Sequence, residues 1–239
     1  MRQKQFDVLS HCRGTSSVYF QEHTRALFWP NPNTCNMHQT LPCEKIADHP
    51  DFCRLAGIDG LRIELRYGTP NNFVGRDLYS PLDCAWLHRH AAEALEKSIA
   101  WLRLEAPSCG MLVLDALRPQ RVQEQLWTSL QGTALLEYLA NPVRGSIHSF
   151  GMAVDITLVD GEGNEVDMGT PFDDLSERSH PALEEKLLRA GELAHAQIDN
   201  RKLLRAAMQA GGWHGINSEW WHFDCGDRNV VRNEYARIL

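Results

Sequence analysis

The sequence predicts an α+β fold, a mainly antiparallel sheet packed against helices in a single domain. Three observations carry this. Strand and helix patterns do not alternate regularly along the chain, which argues against a doubly wound parallel sheet. The strongest turn signal, Asp160-Gly161 with Gly163-Asn164, belongs to an antiparallel hairpin. A chain of 239 residues that is 43% hydrophobic can fill one sizeable core.

Residues 1–57 are rich in Asn, Pro, Cys and His, have no sustained period, and read as an irregular N-terminal extension packed on the main body, 58–239. Leu61, Ile63, Leu65 and Tyr67 alternate with Arg62, Glu64 and Arg66, the period of a strand with one wet face. GTPNNFVG at 68–75 is a loop by its Gly, Pro and Asn. From about Asp83 to Leu104, Ala85, Leu87, Ala91, Ala94, Leu95, Ile99 and Leu102 recur at helical spacing. Met111 to Leu114 reads as a buried strand ending at Asp115, and a helix follows Pro119 from about Gln120 to Leu139. MAVDITLV at 152–159 is a strand whose hairpin returns through Val166. Helices at about 181–196 and 198–210 come next, and Gly211-Gly212 breaks the chain before a last strand at 220–225.

Charge and composition exclude several functions. Lys+Arg 24 against Asp+Glu 31 gives a net charge of -7, which repels phosphate backbones, so no nucleic-acid partner is expected. No apolar run reaches the ~18 residues of a membrane span, so no membrane partner is expected. The first twenty residues lack the apolar block of an export signal, which points to the cytoplasm. Cys12, Cys35, Cys43, Cys53, Cys84, Cys109 and Cys225 contain no CxxC pair and read as reduced thiols. A second zinc site among the early cysteines with His11, His38 and His49 matches no common ligand spacing.

Two segments hold residues that folding alone does not explain. In SIHSFGMAVD (146–155), Met152, Val154, Ile156 and Leu158 share one strand face and Asp155 lies on the other. Gly151 permits a tight bend, so His148 can fold back beside Asp155, with small Ala153 leaving room. In EWWHFD (219–224), His222 offers a third ligand. Two neutral imidazoles and one carboxylate leave zinc an open position for water, the pattern of a catalytic site, and lower that water's pKa toward ~7. Glu219 is then the candidate base. On a flat strand Glu219 and His222 face opposite ways, so Glu219 must lie on the incoming loop or at a bulge. Trp220 and Trp221 would wall the site and raise the carboxylate's pKa. In DALRP (115–119), Arg118 could stabilise an oxyanion, with Asp115 orienting it. Each motif alone is cheap in a chain with 11 His, and His180 and His214 compete as ligands. Their conjunction is what argues for a site.

These strings, with MGTPFD (168–173), ERSH (177–180), NRKLLRAAM (200–208) and, less tightly, YGTPNNFVG (67–75), resemble the zinc D-alanyl-D-alanine dipeptidases of the D,D-peptidase group over about residues 61–225. The resemblance implies one zinc held by His148, Asp155 and His222, Glu219 as general base and Arg118 stabilising the transition state. It also implies that Ser146 and Asp173 line the substrate pocket, Asp173 pairing with the ammonium of a dipeptide. Leu117 stands where the family often has Tyr, which bears on one pocket contact. Two other readings are a D,D-carboxypeptidase or endopeptidase on longer peptidoglycan stems, and a non-catalytic zinc-binding module. The missing export signal speaks against the first, and Glu219 against the second.

Overall fold

A computed structural model describes residues 39–239. Its elements are β1 (Thr40–Leu41), β2 (Phe52–Arg54), β3 (Leu61–Ile63), β4 (Trp86–His88), α1 (Arg89–Glu105), β5 (Gly110–Asp115) and α2 (Gln120–Ser129). Then come β6 (Ala153–Val159), α3 (Glu184–Arg189), α4 (His195–Ala210), β7 (Trp213–Gly215), β8 (His222–Cys225), α5 (Arg228–Glu234) and β9 (Arg237–Ile238). The fold is α+β. Its main sheet has the order β3-β5-β6-β8-β7, with β3 parallel to β5 and every other pairing antiparallel.

β6 is central and buried along its whole length. Val154, Ile156 and Leu158 face the main core, where Ala91, Leu95, Ile99 and Leu102 of α1 meet Leu204, Ala207 and Met208 of α4. That spacing repeats at three and four residues, so each helix presents one apolar stripe to the sheet. On the opposite face of the sheet, Leu112, Leu114 and Val159 form a smaller cluster with Phe172. This arrangement leaves Asp155 on the face away from the helices, with apolar packing behind it.

Several expected boundaries move, one for a tertiary reason and the others for local ones. The helix expected from about Asp83 begins only at Arg89, because Trp86–His88 pairs with β2 as a strand. The helix expected to reach Leu139 stops at Ser129; Gly132 at φ 81° turns the chain, and Ala134–Tyr138 is a 3-10 turn. The helix expected over 181–196 is a 3-10 turn at Pro181–Leu183 followed by α3, ended near Gly191 at φ 73°. α4 then starts at His195, three residues earlier than expected. The first strand is short because Arg66–Gly68 coils into a 3-10 turn. The hairpin return is a single bridge, Val159 to Glu165, with the Val166 N–H donating to Leu158 O at 2.9 Å. The last strand starts at His222, leaving 216–221 as a loop.

The stretch from 39 to 57 is less irregular than its composition suggests. β1 runs parallel to β9, β2 pairs with β4, and Leu55 is wholly buried in the main core. β9 also braces a neighbouring loop: Arg237 donates from Nη2 to Arg144 O at 3.0 Å and lies 5.4 Å over the Phe150 ring. Among the described residues no helix is long and apolar enough to cross a membrane. Cys43, Cys53, Cys84, Cys109 and Cys225 are free thiols; Cys12 and Cys35 lie outside the described residues.

Candidate metal centre and substrate pocket

Strand register sets the core of the site. Asp115, Asp155 and His222 lie directly opposite one another across β5, β6 and β8. Residues in such cross-strand positions share a face and lie within side-chain reach. His148 arrives from outside the sheet, on the 3-10 turn Ile147–Phe150. Gly151 ends that turn at φ 64°, and its N–H donates to His148 O at 3.0 Å. A Cβ at Gly151 would stand 2.8 Å from the His88 backbone nitrogen, so only glycine lets the turn pack here.

Three side-chain atoms then converge. His222 Nδ1 is 2.9 Å from Asp155 Oδ1 and 3.1 Å from His148 Nε2, and His148 Nε2 is 3.4 Å from Asp155 Oδ1. Their partners decide the tautomers. His148 Nδ1 is 2.7 Å from Ala116 O, which can only accept, so Nδ1 carries the proton and Nε2 is a lone pair. His222 Nε2 is 3.1 Å from Asp224 Oδ1, which by the same argument leaves a lone pair at Nδ1 of the neutral ring. Three electron-pair donors thus face one point. Ligands ~2.0–2.1 Å from a tetrahedral zinc sit about 3.3 Å from one another, so this donor set fits a small divalent cation. Among the described residues, His148, Asp155 and His222 form the candidate metal group. His180 lies apart, 3.0 Å from the Tyr138 hydroxyl, and neither it nor His214 belongs to that group. Of the early cysteine–histidine set, Cys12, Cys35, His11 and His38 fall outside the described residues.

Charge around the donors is strongly organised. Burial opposes ionisation of Asp155, but His148 and His222 hold its carboxyl well below the ordinary range. Burial likewise opposes charge on His222, and Asp224 and Asp155 outweigh it, raising that ring's pKa. Arg118 is buried, and its Nε and Nη2 donate to Asp115 Oδ2 at 2.8 and 2.6 Å. Nη2 also reaches Asp155 Oδ2 at 3.2 Å, and the guanidinium lies 4.8 Å over the Tyr67 ring. The Tyr79 hydroxyl donates to the other Asp115 oxygen, so Asp115 fixes Arg118 while being fixed itself.

Glu219 lies on the loop entering β8, the location that lets it and His222 reach one pocket. Burial, helped by Asp155 and Asp224 against His222 and Arg118, pushes its carboxyl up to about 7. The pocket has a volume of about 260 Å³ and is lined by His148, Asp155, His222, Glu219, Arg118, Ser146 and Asp173 together. That is below the ~300–1,000 Å³ of drug-sized sites, so the space suits a small ligand. Trp221 lines it too. Trp220 does not: it is turned into the core, where its Nε1 donates to Thr170 Oγ1 at 2.8 Å. Leu117 is also no pocket contact, since it is fully buried with Phe52 and Trp86.

Tyr67, Tyr79, Asp224 and Arg228 escaped the reading of the sequence. Tyr67 donates to Asp173 Oδ1 at 2.9 Å. Asp224 accepts from Arg228 Nε at 2.6 Å on the side away from His222. The His-x-Asp spacing on one strand was a usable signal for Asp224, since residues two apart share a face. Tyr67 and Tyr79 lie far along the chain from their partners and carried none.

Fold and site together define a buried two-histidine, one-carboxylate candidate metal centre, opening on a small pocket that holds a spare carboxylate and a guanidinium. The sequence profile described as D-ala-D-ala dipeptidase matches residues 50–238, and the chain belongs to that family of peptidases. It is 40% identical over 180 residues to the D-alanyl-D-alanine dipeptidase of Escherichia coli, covering 75% of this chain and 86% of that protein. It is 28% identical over 188 residues to the protein of the same name from Enterococcus faecalis, covering 70% and 86%. To that of Enterococcus faecium it is 28% identical over 201 residues, covering 74% and 89%.

Proposed function

We propose that this chain is a zinc-dependent dipeptidase hydrolysing D-alanyl-D-alanine or a close D,D-dipeptide, with one zinc held by His148, Asp155 and His222. The observation that carries the reading is three lone pairs 2.9–3.4 Å apart with a spare carboxylate in the same small pocket. Zinc in that position supplies a Lewis acid for the scissile carbonyl and lowers the pKa of water toward ~7. Glu219 takes the proton of the attacking water and later gives it to the leaving amine. Burial, which raises this carboxyl in the metal-free chain, suits it to take and to give a proton. Arg118 stabilises the developing oxyanion: Asp115 and Asp155 hold its Nε and Nη2, so the group needs no reorganisation, and Nη1, which also donates to Gln123 Oε1 at 3.3 Å, is the end left to meet the substrate. Asp173 receives the substrate ammonium, and Ser146 lines the wall beside it. The small volume supports a dipeptide over a longer stem.

Metal analysis and three substrates test this. The expected result is one equivalent of zinc, activity lost on chelation and restored by zinc, and D-Ala-D-Ala cleaved in preference to L-Ala-L-Ala. Faster alanine release from a pentapeptide stem than from the dipeptide would establish a carboxypeptidase instead. A zinc-loaded protein that cleaves neither dipeptide nor stem would be a binding module.

A further inference from the structure

Helix α2 hides two amides on a face that packing alone would fill with apolar residues. Its buried positions are Gln120, Val122, Gln123 and Leu126, and Gln123 is wholly buried. An unpaired amide is costly to bury, so the partners of each show what it does. Gln120 fastens the loop ahead of the histidine turn, donating to Pro142 O at 2.9 Å. Gln123 joins two parts of the site. Its Nε2 donates to Ala140 O at 2.8 Å, and its Oε1 accepts from Arg118 Nη1 at 3.3 Å. The amide has one workable orientation. A carbonyl only accepts and a guanidinium only donates, so the flipped group would set oxygen against oxygen and N–H against N–H.

The donors of Arg118 show why this contact matters. A guanidinium carries five N–H groups. Nε donates to Asp115 Oδ2 at 2.8 Å, and Nη2 donates to the same oxygen at 2.6 Å and to Asp155 Oδ2 at 3.2 Å. Gln123 takes a fourth N–H, which leaves one, on Nη1, for the pocket that Arg118 lines. The two bonds to Asp115 converge on one oxygen because Tyr79 occupies the other. They form a pivot, whereas a fork on two oxygens would fix the guanidinium in its own plane. The Tyr67 ring, 4.8 Å from the guanidinium, covers one face and resists tilting, but it leaves rotation within the plane free. Among the described residues, the hydrogen bond that restrains the Nη1 end comes from Gln123.

We propose that Gln123 is a positioning residue for the reaction: it stops Arg118 from turning about the Asp115 pivot, so that the one remaining Nη1 N–H points at the developing oxyanion. The inference rests on the dipeptidase reading above. Gln123 is not among the residues that line the pocket, so it acts through Arg118. The Ala140 bond settles which end of the amide faces the guanidinium, and it ties the arginine to the pocket wall that Ala140 helps to form.

Zinc-loaded wild type, Gln123→Met and Gln123→Glu are compared on D-Ala-D-Ala. Methionine keeps the unbranched shape and gives up both polar contacts, whereas glutamate still accepts from Nη1. Gln123→Met is expected to lower kcat by about 10- to 100-fold, the scale of a misplaced group, with little change in KM. Gln123→Glu should stay within about threefold of wild type. In the Arg118→Ala background, Gln123→Met should change kcat by less than about 2-fold, because the group it holds is gone. If Gln123→Met does not fold, Gln123→Asn, too short to reach both partners, takes its place with the same expected loss. The guanidinium N–H signals of the metal-free protein give a readout free of turnover. The two Nη1 protons should be resolved by NMR in wild type and merge in Gln123→Met, where rotation about the Cζ–Nη1 bond is released. An unchanged kcat in the methionine variant, an equal loss in Gln123→Glu, or the same loss with and without Arg118 overturns the inference alone. Merged Nη1 signals in wild type do so too. A zinc-loaded wild type that cleaves no dipeptide overturns the dipeptidase reading and this inference together.

Discussion

Asp173→Asn should separate a cost in stability from a gain in binding. Burial, reinforced by Asp155 and opposed by the Tyr67 bond and Arg118, pushes the Asp173 carboxyl up from 3.8 to about 8. The folded chain therefore keeps a proton that the unfolded chain releases between pH 4 and 8. Its contribution is most favourable below pH 4 and declines as pH rises through that window, by up to about 1.4 kcal/mol per pH unit. At pH 7 the accumulated loss is about 4 kcal/mol, and water in the open pocket trims it to about 2–4 kcal/mol. Asparagine keeps an acceptor for Tyr67, tolerates the left-handed φ of 63°, and has no proton to lose. Metal-free Asp173→Asn is thus expected to exceed wild type by about 2–4 kcal/mol at pH 7 and to match it near pH 4, read from urea unfolding at several pH values. The same variant cannot give up a proton to meet the substrate ammonium as Asp173 does when the ammonium binds, so kcat/KM on D-Ala-D-Ala should fall by about 10-fold or more. Parallel pH–stability curves for the two proteins, or a variant less stable at pH 7, would refute the reasoning.

Three other substitutions probe the remaining assignments. Glu219→Gln should retain one equivalent of zinc while kcat drops by about 10²- to 10⁴-fold; wild-type turnover in that variant would remove Glu219 as the base. Arg118→Ala should lower kcat by about 10²- to 10³-fold. It should also cost about 3–5 kcal/mol of stability, since buried Asp115 loses its ion-pair partner at 2.6 Å, which thermal unfolding would register. Gly151→Ala should destabilise by about 2 kcal/mol or more, because it forces a side chain to φ 64° and against His88. It should also weaken zinc binding in a chelator competition by displacing His148.

What the sequence revealed of this molecule was its local logic. The alternation of MAVDITLV puts Asp155 opposite Val154 and Ile156, and the structure has that arrangement because a strand's period is independent of its surroundings. The bend at Gly151 and the loop location of Glu219 follow from equally local geometry. What stayed hidden depends on contacts distant along the chain. Trp86–His88 has a helical period yet becomes a strand because Phe52–Arg54 pairs with it. Trp220 and Trp221 are adjacent, and only tertiary packing decides that one faces the pocket while the other enters the core. The Tyr79 bond to Asp115 joins separate segments, and no spacing rule announces it, whereas the Asp115–Arg118 pairing, three residues apart, was legible in the DALRP string.

The pairing of β1 with β9 makes neighbours of Thr40 and Arg237, nearly 200 residues apart along the backbone. So long a loop is worth closing only once the intervening sheet exists, which makes this seam a late event in folding and an early one to breathe open. Arg237 carries that breathing to Arg144 and Phe150, the flanks of the histidine turn. Ion uptake should accordingly follow chain assembly rather than nucleate it, and a cation that binds only the zipped form would keep the seam shut by mass action.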